Sequence, residues 1–448
     1  MNARVRKPAA SQVETADIDD LSHDGRGVAR VAGKTVFIDE ALPGEQVEWL
    51  RSKRARNFDE GRLARVVTPS LDRVVPRCAH FGVCGGCALQ HLSSQRQIEF
   101  KHKQLVDALS RIGRVEPAHW LEPLQAGVWS YRRRARLAAR WVPKKNRTVV
   151  GFRERSTPYI ADLKRCEVLQ PPVDQLLEPL SQLLSELSVR NRVPQIEVAV
   201  ADNAVALVIR VLEALTDADR DALRRFAREH DVLIYLQPGG YETVAPLEAD
   251  APALVYGLPR YGLSLEFLPT DFVQVNGELN VRMIDRAVEM LAPQAGDRVL
   301  DLFCGLGNFS LPLARSGAHV VGVEGDAGLV ARAGANAQRN ALPNVEFFTA
   351  NLADESVATA AWAGRRYDKV LLDPPRAGAR EVLGTIARSG AHTVLYVSCH
   401  PGSLARDAGI LAHEHGFTLH AAGVMDMFPH TAHVESIALF HRPREPRS

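Results

Sequence analysis

Apolar positions along this chain change rhythm twice. Between Val13 and Pro69 they alternate with polar ones in short runs: Gly27–Val31, Lys34–Ile38, Glu45–Leu50 and Gly61–Val67. Turn residues separate the runs, so this stretch predicts a small β-barrel. Gln95–Arg111 then has helical spacing. Residues 128–270 read as strand-rich, with helices near Pro172–Leu187 and Asp217–His230. From about Thr270 the rhythm alternates helix and strand. Leu279–Leu291 is helical, and Arg298–Phe303, Val320–Glu324, Val345–Thr349, Lys369–Asp373 and Thr393–Ser398 are short apolar strands. That order implies an open, mostly parallel sheet with helices on both faces. The divisions fall at 12–70 for the barrel, 71–269 for a central β-rich unit and 270–448 for an α/β unit.

A chain of 448 residues exceeds one ordinary core, in keeping with three parts. No run of eighteen apolar residues occurs, which disfavours a membrane span. Residues 1–11 read as a basic tail with no apolar stretch behind it, so no secretory signal and a cytoplasmic location are expected. Nothing in the pattern demands more than a monomer.

Charge adds a functional division. The net charge is only +2, but residues 1–170 carry 31 Lys and Arg against 19 Asp and Glu, leaving 24 against 34 for the remainder. A basic front on an acidic back suits a polyanion-binding portion joined to a catalytic one, although chance clustering on solvated faces would look the same. Arg51, Lys53, Arg54 and Arg56 form a basic loop in the barrel. Arg132, Arg134 and Arg136 would share one face of a strand beside Tyr131, followed by Lys144, Lys145 and Arg147. Such stripes suit RNA phosphates, and small barrels often read RNA shape. A charge-guarded edge strand is the plainer alternative.

Candidate chemistry is concentrated in the last third. Asp301-Leu302-Phe303-Cys304-Gly305-Leu306-Gly307-Asn308 is a strand, a glycine turn and a helix start. Glycine lets the backbone approach a ligand closely. The third glycine of the dinucleotide fingerprint is missing, which disfavours NAD. Glu324 ends the next strand, where a carboxylate can accept both ribose hydroxyls, and Asn351 follows the strand after, suitably placed for an adenine. This block resembles the class I S-adenosylmethionine-dependent methyltransferases.

Asp373-Pro374-Pro375-Arg376 stands where such enzymes present the methyl group. Asp and Arg replace the Asn and Tyr used by amine methylators, so a non-amine target is expected. Cys399, after the next strand, makes sense for carbon 5 of a pyrimidine. A thiolate added to carbon 6 turns carbon 5 into a carbanion able to attack a sulfonium methyl. A base must then remove the carbon-5 proton so that the thiolate can leave. Glu435 is the candidate base, with His430 or His433 as competitors. A free cysteine is more often a small core residue. Cys304, inside the glycine loop, fits that description, whereas Cys399 between Ser398 and Pro401 does not.

Asp373-Pro374-Pro375-Arg376-Ala377-Gly378, Ser398-Cys399-x-Pro401, His430-Thr431-Ala432-His433-Val434-Glu435-Ser436 and Phe272-Val273-Gln274-Val275-Asn276 together resemble the RNA uracil-C5 methyltransferase family. The resemblance implies that Gln274, Phe303, Asn308, Glu324, Asn351 and Asp373 line the cofactor and target pocket. Cys399 would be the nucleophile and Glu435 the base.

Cys78, Cys84 and Cys87 lie within ten residues, with Cys166 more distant. In a reducing compartment four thiols suit zinc or an iron–sulfur cluster better than disulfides, and spacing does not choose between them. The pattern is similar to the 23S ribosomal RNA branch of the family. That likeness implies a [4Fe-4S] cluster on these four cysteines, an N-terminal OB-like barrel of the TRAM kind, and a uridine of the 1939 type as target. The match runs from Asp24-Gly25-Arg26-Gly27 to Glu435 and departs at His400, where the family pattern has Asn. The rivals are an RNA cytosine-C5 methyltransferase, which would carry a Pro-Cys near Pro374-Pro375, and a vestigial RNA-binding assembly factor. The intact Cys399 and Glu435 speak against the second.

Overall fold

In a computed structural model that describes residues 13–443, the front of the chain is a six-stranded barrel. Its strand order is Val13–Asp17, Gln46–Arg54, Phe58–Thr68, Lys34–Asp39, Gly27–Val31, Asp20–Leu21. Alternation puts Ala29, Val36, Ile38, Val47 and Trp49 inside. Trp49 fits because Gly61, diagonal to it on the neighbouring strand, has no side chain; a β-carbon there would come 2.3 Å from its ring. The long hairpin Gln46–Arg54/Phe58–Thr68 takes Arg51 and Lys53 out of the expected loop and onto a strand. There Arg51 pairs with Glu14 at 2.9 Å and Asp59 at 3.1 Å. The basic tail lies outside the described residues.

The central unit is a second six-stranded sheet, ordered Ala245–Pro246, Leu233–Gln237, Val205–Arg210, Gln195–Val200, Arg134–Val142, Arg147–Gly151. The amphipathic helices Leu177–Glu186 and Asp217–His230 supply Leu177, Leu180, Leu184, Leu223 and Phe226 to its core. Thr216 and Asp219 form a capping box that fixes where the second helix begins.

The back of the chain is the expected doubly wound layer. Val345–Thr349, His319–Glu324, Arg298–Leu302, Lys369–Leu372 and Thr393–Ser398 lie parallel in that order. Glu435–His441 and Thr418–Met425 continue the sheet antiparallel. Residues buried on both faces, such as Val370, Leu371, Leu372 and Val394 to Val397, explain why these strands read as continuous apolar runs. His119–Trp120 adds the eighth strand, beside Thr418–Met425. The helix Ser94–Ala108 packs on the same layer through Ile98 and Leu105. Residues 94–120, upstream of the central sheet in sequence, therefore cover the C-terminal sheet in space. Among the described residues no helix is long and apolar enough to cross a membrane.

Candidate active site

The parallel strands end on one edge, and the loops that leave them build the site, as open α/β sheets require. Arg298–Leu302 runs into Phe303, whose φ of +63° is rare for a residue with a β-carbon. Its N–H and that of Cys304 both donate to the carbonyl of Val323, at 2.8 and 3.1 Å, and so hold the turn. Gly305 and Gly307 follow at φ of +56° and +97°. Glu324 clasps this loop. Its Oε2 accepts from Gly305 N–H at 3.1 Å, and its Oε1 accepts from Gly325 and Asp326 N–H at 2.7 and 3.1 Å. The carboxylate is thereby oriented at the strand end. Asn351 is exposed past the neighbouring strand, where its Oδ1 accepts from Ala353 N–H at 3.2 Å.

Asn308 is engaged differently from Glu324. Its amide exchanges hydrogen bonds with Asn280 at 2.9 and 3.1 Å, and its Oδ1 also accepts from Tyr256 OH at 2.9 Å. It ties the glycine loop to the helix Gly277–Leu291. Gln274 is half-buried on the segment that leads into that helix, which Asn276 caps by accepting from Leu279 N–H at 3.1 Å. Cys304 is buried against Gly322, as expected of a core thiol.

Asp301 and Asp373 stand on adjacent strands. Burial pushes each carboxyl up to about 7, and for Asp301 the negative neighbours Asp373 and Glu324 add to it, against a hydrogen bond from Ser310. An electropositive group arriving here would reverse the effect.

Cys399 and Glu435 flank the register pair Ser398 and Ser436 on neighbouring strands, within electrostatic reach of Asp373. Burial raises the Cys399 thiol to about 11; the charges of Glu435 and Asp373 push the same way, and Arg376 opposes them. Burial raises the Glu435 carboxyl as well, Asp373 adds to it, and Arg376 and Lys101 oppose it. The structure therefore brings the proposed nucleophile, the proposed base and the Asp-Pro-Pro-Arg motif together.

The competing bases are otherwise occupied. His430 is buried, stacked on Trp129 with ring centroids 3.9 Å apart, and burial lowers it to about 4. Nδ1 of His433 lies 2.7 Å from Nη2 of Arg376. His400, the departure from the family pattern, caps the helix Pro401–His413, its Nδ1 accepting from Ser403 N–H at 3.1 Å.

A cleft of about 940 Å³ opens over Cys399. Its walls come from the barrel at Asp20, Leu21, His23 and Asp24, the cysteine loop at Gly85 and Gly86, the helix at Lys103 and the turn after it at Arg111, and the loops at Arg376 and His433. Arg132 precedes the strand Arg134–Val142 instead of sharing its face, and it reaches this cleft. Arg134 donates to the carbonyl of Pro269, and Arg136 bonds Tyr241 at 2.7 Å and Glu197 at 3.2 Å, so both are engaged within the protein.

Cys78, Cys84, Cys87 and Cys166 face one small cavity with Phe81 and Phe152. Burial raises Cys87 to about 12 and Cys166 to about 11, and neighbouring thiols contribute to both. Among the described residues no three His, Cys, Asp or Glu side chains stand in a ready-made ligating arrangement. The four thiols line one cavity without forming a finished metal site.

Sequence reasoning missed the residues that hold the Glu435 loop. Lys101 has no solvent exposure; its Nζ donates to Asp426 Oδ1 at 2.6 Å and to the carbonyl of Phe428 at 2.9 Å. Gln97 accepts from His430 N–H at 2.8 Å. Their signal was present: Gln97, Lys101 and Leu105 recur every four residues on the buried face of one helix, where two polar residues need a partner.

A family model described as tRNA (Uracil-5-)-methyltransferase matches residues 260–443, and one described as TRAM domain matches residues 11–49. Proteins named 23S rRNA (uracil(1939)-C(5))-methyltransferase RlmD are similar over nearly the whole chain. That of Stenotrophomonas maltophilia (strain R551-3) is 51% identical over 95% of this chain and 96% of its own. That of Alkalilimnicola ehrlichii is 50% identical over 99% of each. That of Xylella fastidiosa is 52% identical over 95% and 96%. The crystal structure of Pyrococcus abyssi tRNA (uracil-54, C5)-methyltransferase in complex with S-adenosyl-L-homocysteine has a TM-score of 0.74 at 24% identity, over 95% of this chain and all of that one, which shows a shared fold.

Proposed function

The chain belongs to the RlmD family of 23S rRNA (uracil-C5)-methyltransferases, and we propose that it methylates carbon 5 of the 1939-type uridine of 23S ribosomal RNA. The observation that carries this reading is the grouping of Cys399, Glu435 and Asp373 at the carboxyl edge of the parallel sheet, with Cys399 opening to a cleft walled by all parts of the chain.

S-adenosylmethionine supplies an electrophilic methyl group. Glu324 and the Phe303–Gly307 turn are suited to its nucleoside, Asn351 to its adenine, and Gln274 and Asp373 to the reacting end. Asn308 acts at one remove, bracing the glycine loop on Asn280. The acidic surroundings of Asp301, Asp373 and Glu324 favour a sulfonium cation.

The target uridine must leave its stack, since carbon 6 is unreachable within it. Cys399 then adds as a thiolate to carbon 6, and the electron pair passes to carbon 5 and the carbon-4 carbonyl. Carbon 5 takes the methyl group. The Glu435 carboxylate removes the carbon-5 proton, the carbon–carbon double bond re-forms and the thiolate departs, so the cysteine is regenerated and one proton is released. Arg376, exposed at the cleft, favours the anionic forms of Cys399 and Glu435.

The four clustered cysteines have the donor chemistry of a [4Fe-4S] site, which would tie Cys166 to the 78–87 loop. In that role it supports the fold rather than the chemistry.

The test uses 23S RNA carrying 5-fluorouridine. Fluorine cannot leave as a proton, so the reaction should stall with RNA covalently attached. A denaturation-resistant adduct that vanishes in Cys399→Ala supports the mechanism. Methylation surviving in Cys399→Ala would sink it.

A further inference from the structure

The Glu435 loop is held largely by residues more than three hundred positions away. Lys101 bonds Asp426 at 2.6 Å and the Phe428 carbonyl at 2.9 Å. Tyr131 OH donates to the Pro429 carbonyl at 3.1 Å, and the N–H groups of Ala88 and Leu89 donate to the His430 carbonyl at 2.8 and 2.9 Å. Asp426 follows Met425, the register partner of Glu435 on the neighbouring strand. The Lys101 ammonium is thus anchored one residue from the pair that presents Glu435.

Glu435 is 3% exposed. The charged and titratable groups that face it are Asp373 and Arg376 from the Asp-Pro-Pro-Arg loop, Cys399 from the nucleophile loop, and Lys101 from the helix Ser94–Ala108. A buried carboxyl beside another carboxylate keeps its proton, and a protonated Glu435 cannot take one from carbon 5. Arg376 is exposed at the cleft. Lys101 is fixed, with Asp426 beside it only 3% exposed on its side chain.

We propose that Lys101 is a positioning residue for the reaction: its bonds to Asp426 and the Phe428 carbonyl lock the turn that presents Glu435 to the carbon-5 proton. Its charge, after that of Arg376, also opposes protonation of the buried Glu435. The helix Ser94–Ala108, outside the methyltransferase sheet, is on this view part of the catalytic apparatus. The inference rests on Glu435 being the base.

The test compares Lys101→Met, Glu435→Gln and the double variant Lys101→Met/Asp426→Leu, as full-length protein on uridine-bearing 23S RNA with labelled S-adenosylmethionine. Addition and methyl transfer precede the base step. Loss of the base should therefore leave a methylated, denaturation-resistant RNA–protein complex. Glu435→Gln should accumulate it. Lys101→Met should accumulate it too, with turnover reduced about a hundredfold and the acidic limb of the kcat profile moved to higher pH. The double variant removes both buried charges, so its stability should recover while its turnover does not. If the double variant regains turnover, or if Lys101→Met never builds up the complex while Glu435→Gln does, the proposal is overturned. Failure of Glu435→Gln to build it up would instead discard Glu435 as the base.

Discussion

Gln97 grips His430 across 333 positions of sequence: its Oε1 accepts from His430 N–H at 2.8 Å while its Nε2 passes 3.3 Å from the Nδ1 of the ring. The same Nε2 donates to the carbonyls of Leu89 and Leu92 at 3.0 and 2.8 Å. One buried amide thus joins the end of the cysteine loop to the loop that carries Glu435. Gln97→Leu removes the partner of the His430 N–H and of the Leu92 carbonyl, while Leu89 keeps its bond from Leu92 N–H, and should cost roughly 2–5 kcal/mol. Thermal denaturation should show the loss, and amide exchange at 428–435 should quicken. A stability within error of the original would mean that water replaces the amide.

The cysteine cavity adjoins this grip, because Cys87 immediately precedes Ala88 and Leu89, the donors to His430. Anaerobically prepared protein should show iron–sulfur absorbance that Cys166→Ser removes. The same variant should raise amide exchange at Ala88 and Leu89. Retention of the absorbance would take Cys166 out of the ligand set.

Asp301 and Asp373 carry a pH signature. Their folded carboxyls sit near 7, above the ordinary 3.8. The stability they allow is full below about pH 4 and is lost as pH rises through about 7. Chemical denaturation without cofactor should show stability falling between about pH 4 and 7, by an amount on the order of a few kcal/mol. Asp301→Asn should flatten that slope. An unchanged slope would mean that other groups set it.

Glu324 serves the glycine loop with both oxygens. Glu324→Gln has only one acceptor, so a loop N–H loses its partner and the ribose loses a charged one. Affinity for S-adenosylmethionine should fall at least about tenfold, corresponding to roughly 1.4 kcal/mol. Calorimetry reads this directly, and equal affinity would remove Glu324 from the cofactor site.

Gly322 is close-packed. A β-carbon there would come within 2.6 Å of the Phe347 ring and 3.0 Å of the Cys304 sulfur. Gly322→Ala should destabilise by about 1–3 kcal/mol and weaken cofactor binding through the loop at Cys304. A melting temperature equal to the original would contradict this packing.

The parallel layer was readable from residue order alone, since strands buried on both faces write themselves as apolar runs between helical periods. It also identified the glycine turn, the Asp373 motif and Cys399, because their chemistry needs particular residues at strand ends. The barrel's strands were legible from alternation, though not the length of the hairpin that takes up Arg51 and Lys53. It took the folded chain to show that His119–Trp120 completes the C-terminal sheet, that Asn308 braces Asn280, and that Lys101 and Gln97 hold the loop of Glu435. Periodicity reports which face of a segment is buried; it carries no information on which distant segment buries it. A lysine on an apolar helix face announces that a partner exists, and only the folded chain reveals that the partner is Asp426.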